Sequence, residues 1–538
     1  PLPGGAEPGR IEQQFAPPPV PRAVQEPLLP DTQEQLPPEQ ADKIRFTLTA
    51  ISLQGNTVFS EADLAPIYQQ YLGQEVSLTT VYQIANAIAA HYRNAGYVLS
   101  RVTPPAQRVS NGIVTLVITE GYIDKIEVEG DVTGNRDLLD GYLAKITESR
   151  PLNNKVLERY VLLINDLPGI QAKAVLIPSF DKPGASDLVL QIVEDPGDLT
   201  LSVDNRGTKF IGPMQFRAQG GLNNYLGRSE RIGGQIVTTR EREELMFVQL
   251  DYSEPLGANG TVFSLSGNIS WSEPGDALKP FDVQGQNRSV TATVTHPWLR
   301  SRKKNLSLRG SFTYRNSKTD IGGLALTEDR LRILRVGSSA DFTDRWRGVN
   351  LFDAEASQGL NLLDSTESEN PLRTRPDGRE DFTKITASAL RVQQIYKPVQ
   401  LVVGVTGQYA LSSLLASEEF GFGGAQYGRA YDPSQLTGDH GFAVRGELQY
   451  HVPYTSPILR SLDLYTFYDN GIVWNIDSGT QGTENRFSAA SAGIGARFLI
   501  KQRYLGYIEI ADPLTGYVPT RGSKGNDPRF FFSLAAPF

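Results

Sequence analysis

"TVFSLSGNISW", residues 261–271, decides how most of this chain is read. Phe263, Leu265, Ile269 and Trp271 fall on one face of an extended strand, and Ser264, Ser266, Asn268 and Ser270 on the other, because successive side chains of a strand point to opposite sides. The pattern returns in "NLSLRGSFTYR" (305–315), where Leu306, Leu308, Phe312 and Tyr314 oppose Ser307, Arg309, Ser311, Thr313 and Arg315. It returns again in "GFAVRGELQYH" (441–451), with Phe442, Val444, Leu448 and Tyr450 against Arg445, Glu447, Gln449 and His451. A soluble sandwich alternates too, but in strands of about 5–6 residues. Stretches of roughly 9–11 with aromatics near their ends are the signature of a membrane barrel, apolar toward lipid and polar toward a lumen.

Alternation holds from about residue 199 onward, and about 340 residues at roughly 20 per strand and turn predict about 16 strands, an even number as closure of a bacterial barrel requires. The segment "RFFFSLAAPF" (529–538) alternates Phe530, Phe532, Leu534, Ala536 and Phe538. It reads as the closing strand, with Phe538 as its C-terminal signal. Hydrophobic residues are 39% of the 538, and no run approaches the ~18 apolar residues of a membrane-spanning helix. The 51 glycines, 22 tyrosines and 23 phenylalanines fit a barrel instead. Cysteine is absent and the four histidines (91, 296, 440 and 451) are scattered, which excludes a disulfide framework, a thiolate metal site and a cysteine nucleophile. No metal or cofactor is expected. A net charge of −8 argues against nucleic acid as a partner. The opening "PLPGGAEPGR" has neither the basic start nor the apolar core of a secretory leader, so the chain reads as cytosolic or as a mature form.

Residues 1–44 are rich in proline, glutamine and glutamate, a composition that favours an extended, mobile tether, in which only "GRIEQQF" (9–15) has the makings of a turn or two of helix. Residues 45–196 hold an internal repeat of about 75 residues. Gly55 corresponds to Gly130, Gly96 to Gly169, and "VITE" (117–120) to "QIVE" (191–194). Each copy, 45–121 and 122–197, reads strand, helix, helix, strand, strand. Val81, Ile84, Ala85, Ile88 and Ala89 form the apolar stripe of a helix capped by Ser77 or Thr79 and ended by Gly96. Leu157, Val161, Leu162 and Ile164 do the same in the second copy.

"GGAQYGRAYDPSQLTGDHG" (423–441) interrupts the barrel pattern with turn formers around one arginine, Arg429, set between Tyr427 and Tyr431. On a nearby strand, "LDLYTFYDNGIVW" (462–474), Leu462, Leu464, Thr466 and Tyr468 share one face, and Asp463, Tyr465, Phe467, Asp469 and Gly471 the other. If the first face meets lipid, Asp469 points into the lumen. An arginine on an inward-folded loop then reaches it with two parallel hydrogen bonds, a geometry lysine lacks.

With these features the chain resembles the two-partner secretion transporters, the outer-membrane hemolysin and filamentous-hemagglutinin secretion proteins of the BamA-type superfamily. The likeness covers residues 45–538. It rests on two POTRA-like modules (45–121 and 122–197), a barrel over 198–538 with an inward loop at 421–441, an Arg-x-aromatic loop tip, and "FYDNG" (467–471) as the Phe-x-Asp-x-Gly strand motif. The family tip reads Val-Arg-Gly-Tyr or Phe. Here Arg429 and Tyr431 match, behind the glycine lead Gly423 and Gly424, while Gly428 and Ala430 depart.

The resemblance implies a monomeric pore in the outer membrane of a Gram-negative bacterium, with POTRA modules in the periplasm. It implies secretion of one large partner protein (adhesin, hemolysin or toxin type) without ATP, the modules binding the partner's N-terminal secretion domain. It assigns Arg429 and Asp469 to a loop-to-barrel lock, with Phe467 and Gly471 as companions of the aspartate. An N-terminal helix commonly plugs such barrels, and 1–44 has the length for a plug and linker. The alternatives are a factor that inserts other barrels, a passive porin, which leaves the repeat unexplained, and an enzyme. For the last, "GGAQYGRAY" has neither the lysine nor the strand-to-helix context of a phosphate loop, and no nucleophile elbow is present.

Overall fold

The computed structural model describes residues 2–23, 41–179, 182–367, 369–453, 456–476, 485–515 and 527–538. Two units emerge: Glu26–Asp195, and Pro1–Gln25 together with Pro196–Phe538.

Both halves of the repeat fold alike. The first contains strand Ala50–Gln54, helices Glu61–Tyr68 and Leu78–Asn94, and strands Arg101–Thr103 and Ile113–Thr119. The second contains Tyr122–Glu129, helices Arg136–Thr147 and Asn154–Asn165, then Ile170–Pro178 and Ala185–Glu194. In each sheet the strand last in sequence is central, parallel to the first and antiparallel to the other. Val81, Ile84, Ala85 and Ile88 are buried against Leu64, Leu116 and Ile118, while Ala89 is only half-buried. Ser77 is the cap, accepting from Thr80 N at 3.3 Å, and Thr79 lies inside the helix. In the second copy Leu163 is buried and Leu162 half-buried, the stripe turning one residue past the simple reading.

The repeated glycines do the same work twice. Gly55 (φ +87°) and Gly130 (φ +109°) cross the central strand so closely that a Cβ would stand 2.3 Å from Ile118 O and 2.2 Å from Ile192 O. The repeated glutamates then tie down the segments that follow. Glu120 accepts from Thr57 N (2.7 Å), Val58 N (2.9 Å) and the Tyr92 hydroxyl (2.8 Å); Glu194 accepts from Thr133 N (2.9 Å). Burial opposes ionisation of Glu120, but the hydrogen bonds from Thr57, Val58 and Tyr92 prevail and hold its carboxyl below the ordinary 4.5.

From Gly197–Asp204 to Arg529–Pro537, sixteen antiparallel strands close a barrel, the last paired with the first from Ser533↔Asp204 to Pro537↔Thr200. Beyond them Phe538 N donates to Leu199 O at 2.7 Å, and Arg503 lies 4.2 Å from the Phe538 ring centroid. Burial is the inverse of a soluble protein's. Leu265, Trp271, Leu308 and Tyr314 are exposed, whereas Asn268, Ser270, Thr313 and Arg315 are buried. Apolar side chains face lipid and polar ones line the lumen. Several strands outrun the expected 9–11 residues: Val283–Arg300 and Lys304–Ile321 have 18, and Leu324–Thr343 has 20. The hairpin of the last two keeps pairing to a two-residue turn, Gly322 (φ +56°) and Gly323 (φ +80°), the left-handed conformation that tight hairpins need.

Residues 2–23 are packed rather than a free tether, and the short helix expected within 9–15 is present. Two 3₁₀ turns, Gly4–Ala6 and Pro8–Arg10, lead into the helix Ile11–Phe15, and Ala6, Ile11 and Phe15 bury against Phe210, Ile211 and Phe247. Five helical residues do not stand alone in water; packing against the barrel's inner face holds them. The rest of the proline-rich stretch, 24–40, lies outside the described residues.

Candidate functional site

Between strands Val399–Ala410 and His440–His451 the chain folds back against the inner wall, stiffened by the ribbon of Phe420–Phe422 with Leu436–Gly438. Gly423 (φ +120°) would set a Cβ 2.1 Å from Asp432 O, so only glycine fits. Gly424 is also left-handed, at φ +103°. Departure from the family tip is accommodated at both positions. Gly428 has φ +74°, and a side chain there would meet the Phe422 ring at 2.7 Å. The Ala430 methyl is fully buried with Tyr465, Phe467, Ala511 and Phe531.

At the tip, Arg429 is 4% exposed. Its Nε donates to Asp469 Oδ2 and its Nη2 to Oδ1, both at 3.0 Å, and its backbone N donates to Oδ2 at 3.0 Å. The guanidinium carbon stands 3.6 Å from the centroid of Phe467. Gly471 makes room beside this pair: a Cβ there would collide with the Phe422 ring at 2.1 Å. Tyr431, 2% exposed, donates its hydroxyl to Ala490 O at 2.9 Å. The structure thus brings Arg429, Asp469, Phe467, Gly471 and the loop residues 423–431 together, and sets Phe538 apart at the barrel seam.

Four further residues complete the cluster. Arg429 Nη1 donates to Glu447 Oε2, which Arg497 also grips, Nη2 to Oε2 at 3.1 Å. Arg206 Nη1 donates to Arg429 O at 3.0 Å, and its Nη2 to Glu509. Three arginines, of which Arg497 is 40% exposed, face three buried carboxylates, so the charges of the cluster balance. Glu447 sits on the polar face of an alternating stretch beside "FYDNG" and could have been named from sequence. Arg206 and Glu509 could not: 303 residues separate them, and only closure of the barrel makes them neighbours.

The loop base meets the N-terminal segment. Arg10, 1% exposed, donates to Ala416 O (2.7 Å), Glu419 O (3.0 Å) and Ser434 Oγ (3.0 Å). Glu12 accepts from Arg315 Nη2 at 3.1 Å, and the other Nη of Arg315 donates to Glu418 at 3.0 Å. Glu418 also pairs with Arg335 (2.9 Å) and Lys384 (2.8 Å) of the wall. Among the described residues no group of acids and histidines is arranged to hold a metal.

Comparison with known proteins agrees with this architecture. Residues 184–498 match the family described as haemolysin secretion/activation protein ShlB/FhaC/HecB, and residues 46–121 match the POTRA domain, ShlB-type. The heme/hemopexin transporter protein HuxB of Haemophilus influenzae is 24% identical over 502 residues, covering 92% of this chain and 88% of HuxB. The outer membrane transporter CdiB of Dickeya dadantii is 22% identical over 86% of this chain and 82% of its own. The solved structure of CdiB from Escherichia coli shares the fold, with a TM-score of 0.76 at 18% identity over 96% of this chain and 94% of that one. A match across more than half of the chain, joined to a closed barrel behind POTRA-type modules, makes this protein a member of the ShlB/FhaC/HecB family, an outer-membrane transporter whose POTRA modules lie in the periplasm.

Proposed function

We propose that this barrel exports one large partner protein from the periplasm to the cell surface, that the POTRA modules receive the partner's N-terminal secretion domain, and that no nucleotide is consumed. The observation that carries this reading is the content of the lumen. It holds two pieces of the chain itself, residues 2–23 and the loop 411–439, both anchored by hydrogen bonds and ion pairs to the wall and to each other. Polar anchors exchange for water at small net cost once a segment moves, so such a lumen is built to be emptied. In this reading residues 2–23 are the resting plug, Arg429 and Asp469 lock the loop, and a monomer suffices. An extended client adds as a strand to a POTRA sheet edge, where backbone pairing gives sequence-tolerant affinity. The client is of the adhesin, hemolysin or toxin type, a reading to which the name of one relative, the hemolysin transporter protein HpmB of Proteus mirabilis, lends support, and the client folding outside supplies the drive.

The test uses cells that carry the transporter and its partner. Deleting residues 45–121 is expected to stop export while the barrel stays inserted and heat-resistant in detergent; normal export would remove the first module as receptor. In planar bilayers, deleting residues 1–25 is expected to raise open probability, and an unchanged channel would show that the segment is no plug.

A further inference from the structure

Two neighbouring turns on one rim of the barrel concentrate positive charge that export does not call upon. The first strand starts at Gly197, directly after the periplasmic modules, so in an antiparallel barrel the turns 301–303 and 344–347 lie on the periplasmic side. Lys303, Lys304, Arg345 and Arg347 are all exposed there, in a chain whose net charge is −8. The turns are stitched together: Thr343 N donates to Lys303 O at 2.9 Å, and Lys304 stands opposite Phe342 in register. The acid among them does not neutralise the patch. Asp344 is already engaged, accepting from Trp346 N and Gly348 N at 3.0 Å and from Arg391 Nη1 at 2.6 Å, so its charge is matched by Arg391.

Aromatic and apolar side chains adjoin this charge on the lipid side. Trp298 and Trp346 are 67% and 63% exposed, and indoles favour the membrane–water interface. Phe342 and Phe352 stack with centroids 6.0 Å apart on the outer wall, and Leu299 is exposed nearby. Exposed cationic side chains, interfacial indoles and an apolar wall in that order match the profile of one lipid leaflet.

We propose that the turns 301–303 and 344–347 bind the headgroup of an anionic glycerophospholipid of the periplasmic leaflet, its acyl chains lying against Phe342, Phe352 and Leu299. Arginine forks match phosphate oxygens, and basic residues at a membrane surface draw anionic lipid.

The full chain, in phosphatidylcholine nanodiscs containing a minority of phosphatidylglycerol, is extracted in mild detergent and its retained lipid read by native mass spectrometry. Phosphatidylglycerol is expected to be enriched on the order of tenfold, falling as salt rises, and inorganic phosphate at matched ionic strength should not displace it. Arg345→Ala with Arg347→Ala should lower the enrichment several-fold, while Arg228→Ala with Lys501→Ala, on other turns of this rim, should leave it. If the first variant loses heat-resistant folding, Lys303→Gln with Lys304→Gln carries the same expectation. Equal retention of the two lipids by the native chain, unchanged enrichment in the folded turn variants, or displacement by inorganic phosphate would overturn the proposal.

Discussion

In the periplasmic modules Ile88 and Leu116 are 0% exposed, while Arg136 and Asp140 stand in solvent; in the barrel Leu265 and Leu448 are 41% and 46% exposed, and Asp469 and Glu447 are 0% and 6%. The same residue types are sorted in opposite senses because the two regions have different solvents outside. Water around a module drives apolar side chains inward. Lipid around the barrel leaves no such drive, and polar groups retreat to the lumen, where they hydrogen-bond one another. A buried charge in the barrel is therefore ordinary, provided it is matched, and the loop tip shows how closely: every carboxylate near Arg429 has an arginine.

Breaking that match should give the largest effect. Arg429→Ala or Asp469→Ala strands a buried charge at a cost of about 3–5 kcal/mol, expressed as a freed loop because the strand ladders hold the barrel without it. Secretion is expected to fall to near zero with heat resistance in detergent retained, and the double variant to be no worse than either single one. Full secretion by Arg429→Ala, or additive defects, would remove the lock.

The lipid face sharpens the contrast next. Leu265→Arg, near the middle of its strand, is expected to destabilise the barrel by about 2–4 kcal/mol in equilibrium unfolding from lipid vesicles, where an exposed leucine in a water-soluble domain would tolerate the change. Stability like that of the native chain would mean this face is not in hydrocarbon.

A smaller effect belongs to the modules. Glu120→Gln weakens the charge-assisted hydrogen bonds from Thr57 and Val58 and should destabilise the first module by about 1–2 kcal/mol near neutral pH. The folded carboxyl titrates below its ordinary 4.5, so its stabilisation is present above the unfolded value and is lost as pH falls through the folded one. Native and Glu120→Gln modules should converge in acid, and a difference that grows below that range would refute the assignment. Smallest of all, Arg136→Ala removes a helical i,i+4 pair with Asp140 whose side chains are both more than half exposed, and should change stability by less than about 0.5 kcal/mol.

Much of this was legible in the chain as written. Period-two alternation in 261–271, 305–315 and 441–451 named the barrel and its two faces, because a strand's side-chain period is local and needs no partner to be read. The repeat was legible through Gly55 and Gly130, whose left-handed backbones leave no room for another residue, and through Glu120 and Glu194, which close the same loop twice. Asp469 could be paired with Arg429 because each sits in a short motif on its own element.

What only the tertiary structure decided was everything that depends on register around a closed sheet or on packing against it. Arg206, Glu509 and Arg497 join the Arg429–Asp469 pair from strands or turns far apart in sequence, and no local pattern encodes that convergence. Residues 4–8 read as extended tether and 9–15 as no more than a turn or two of helix; the turns at Gly4–Ala6 and Pro8–Arg10 and the helix Ile11–Phe15 form where the barrel wall supplies the contacts that five helical residues cannot supply for themselves. Gly428 and Ala430 are departures by motif and fits by packing, one clearing the Phe422 ring and the other filling the space beside Phe467. Local chemistry sets which way a side chain faces, and only closure of the barrel sets what it meets there.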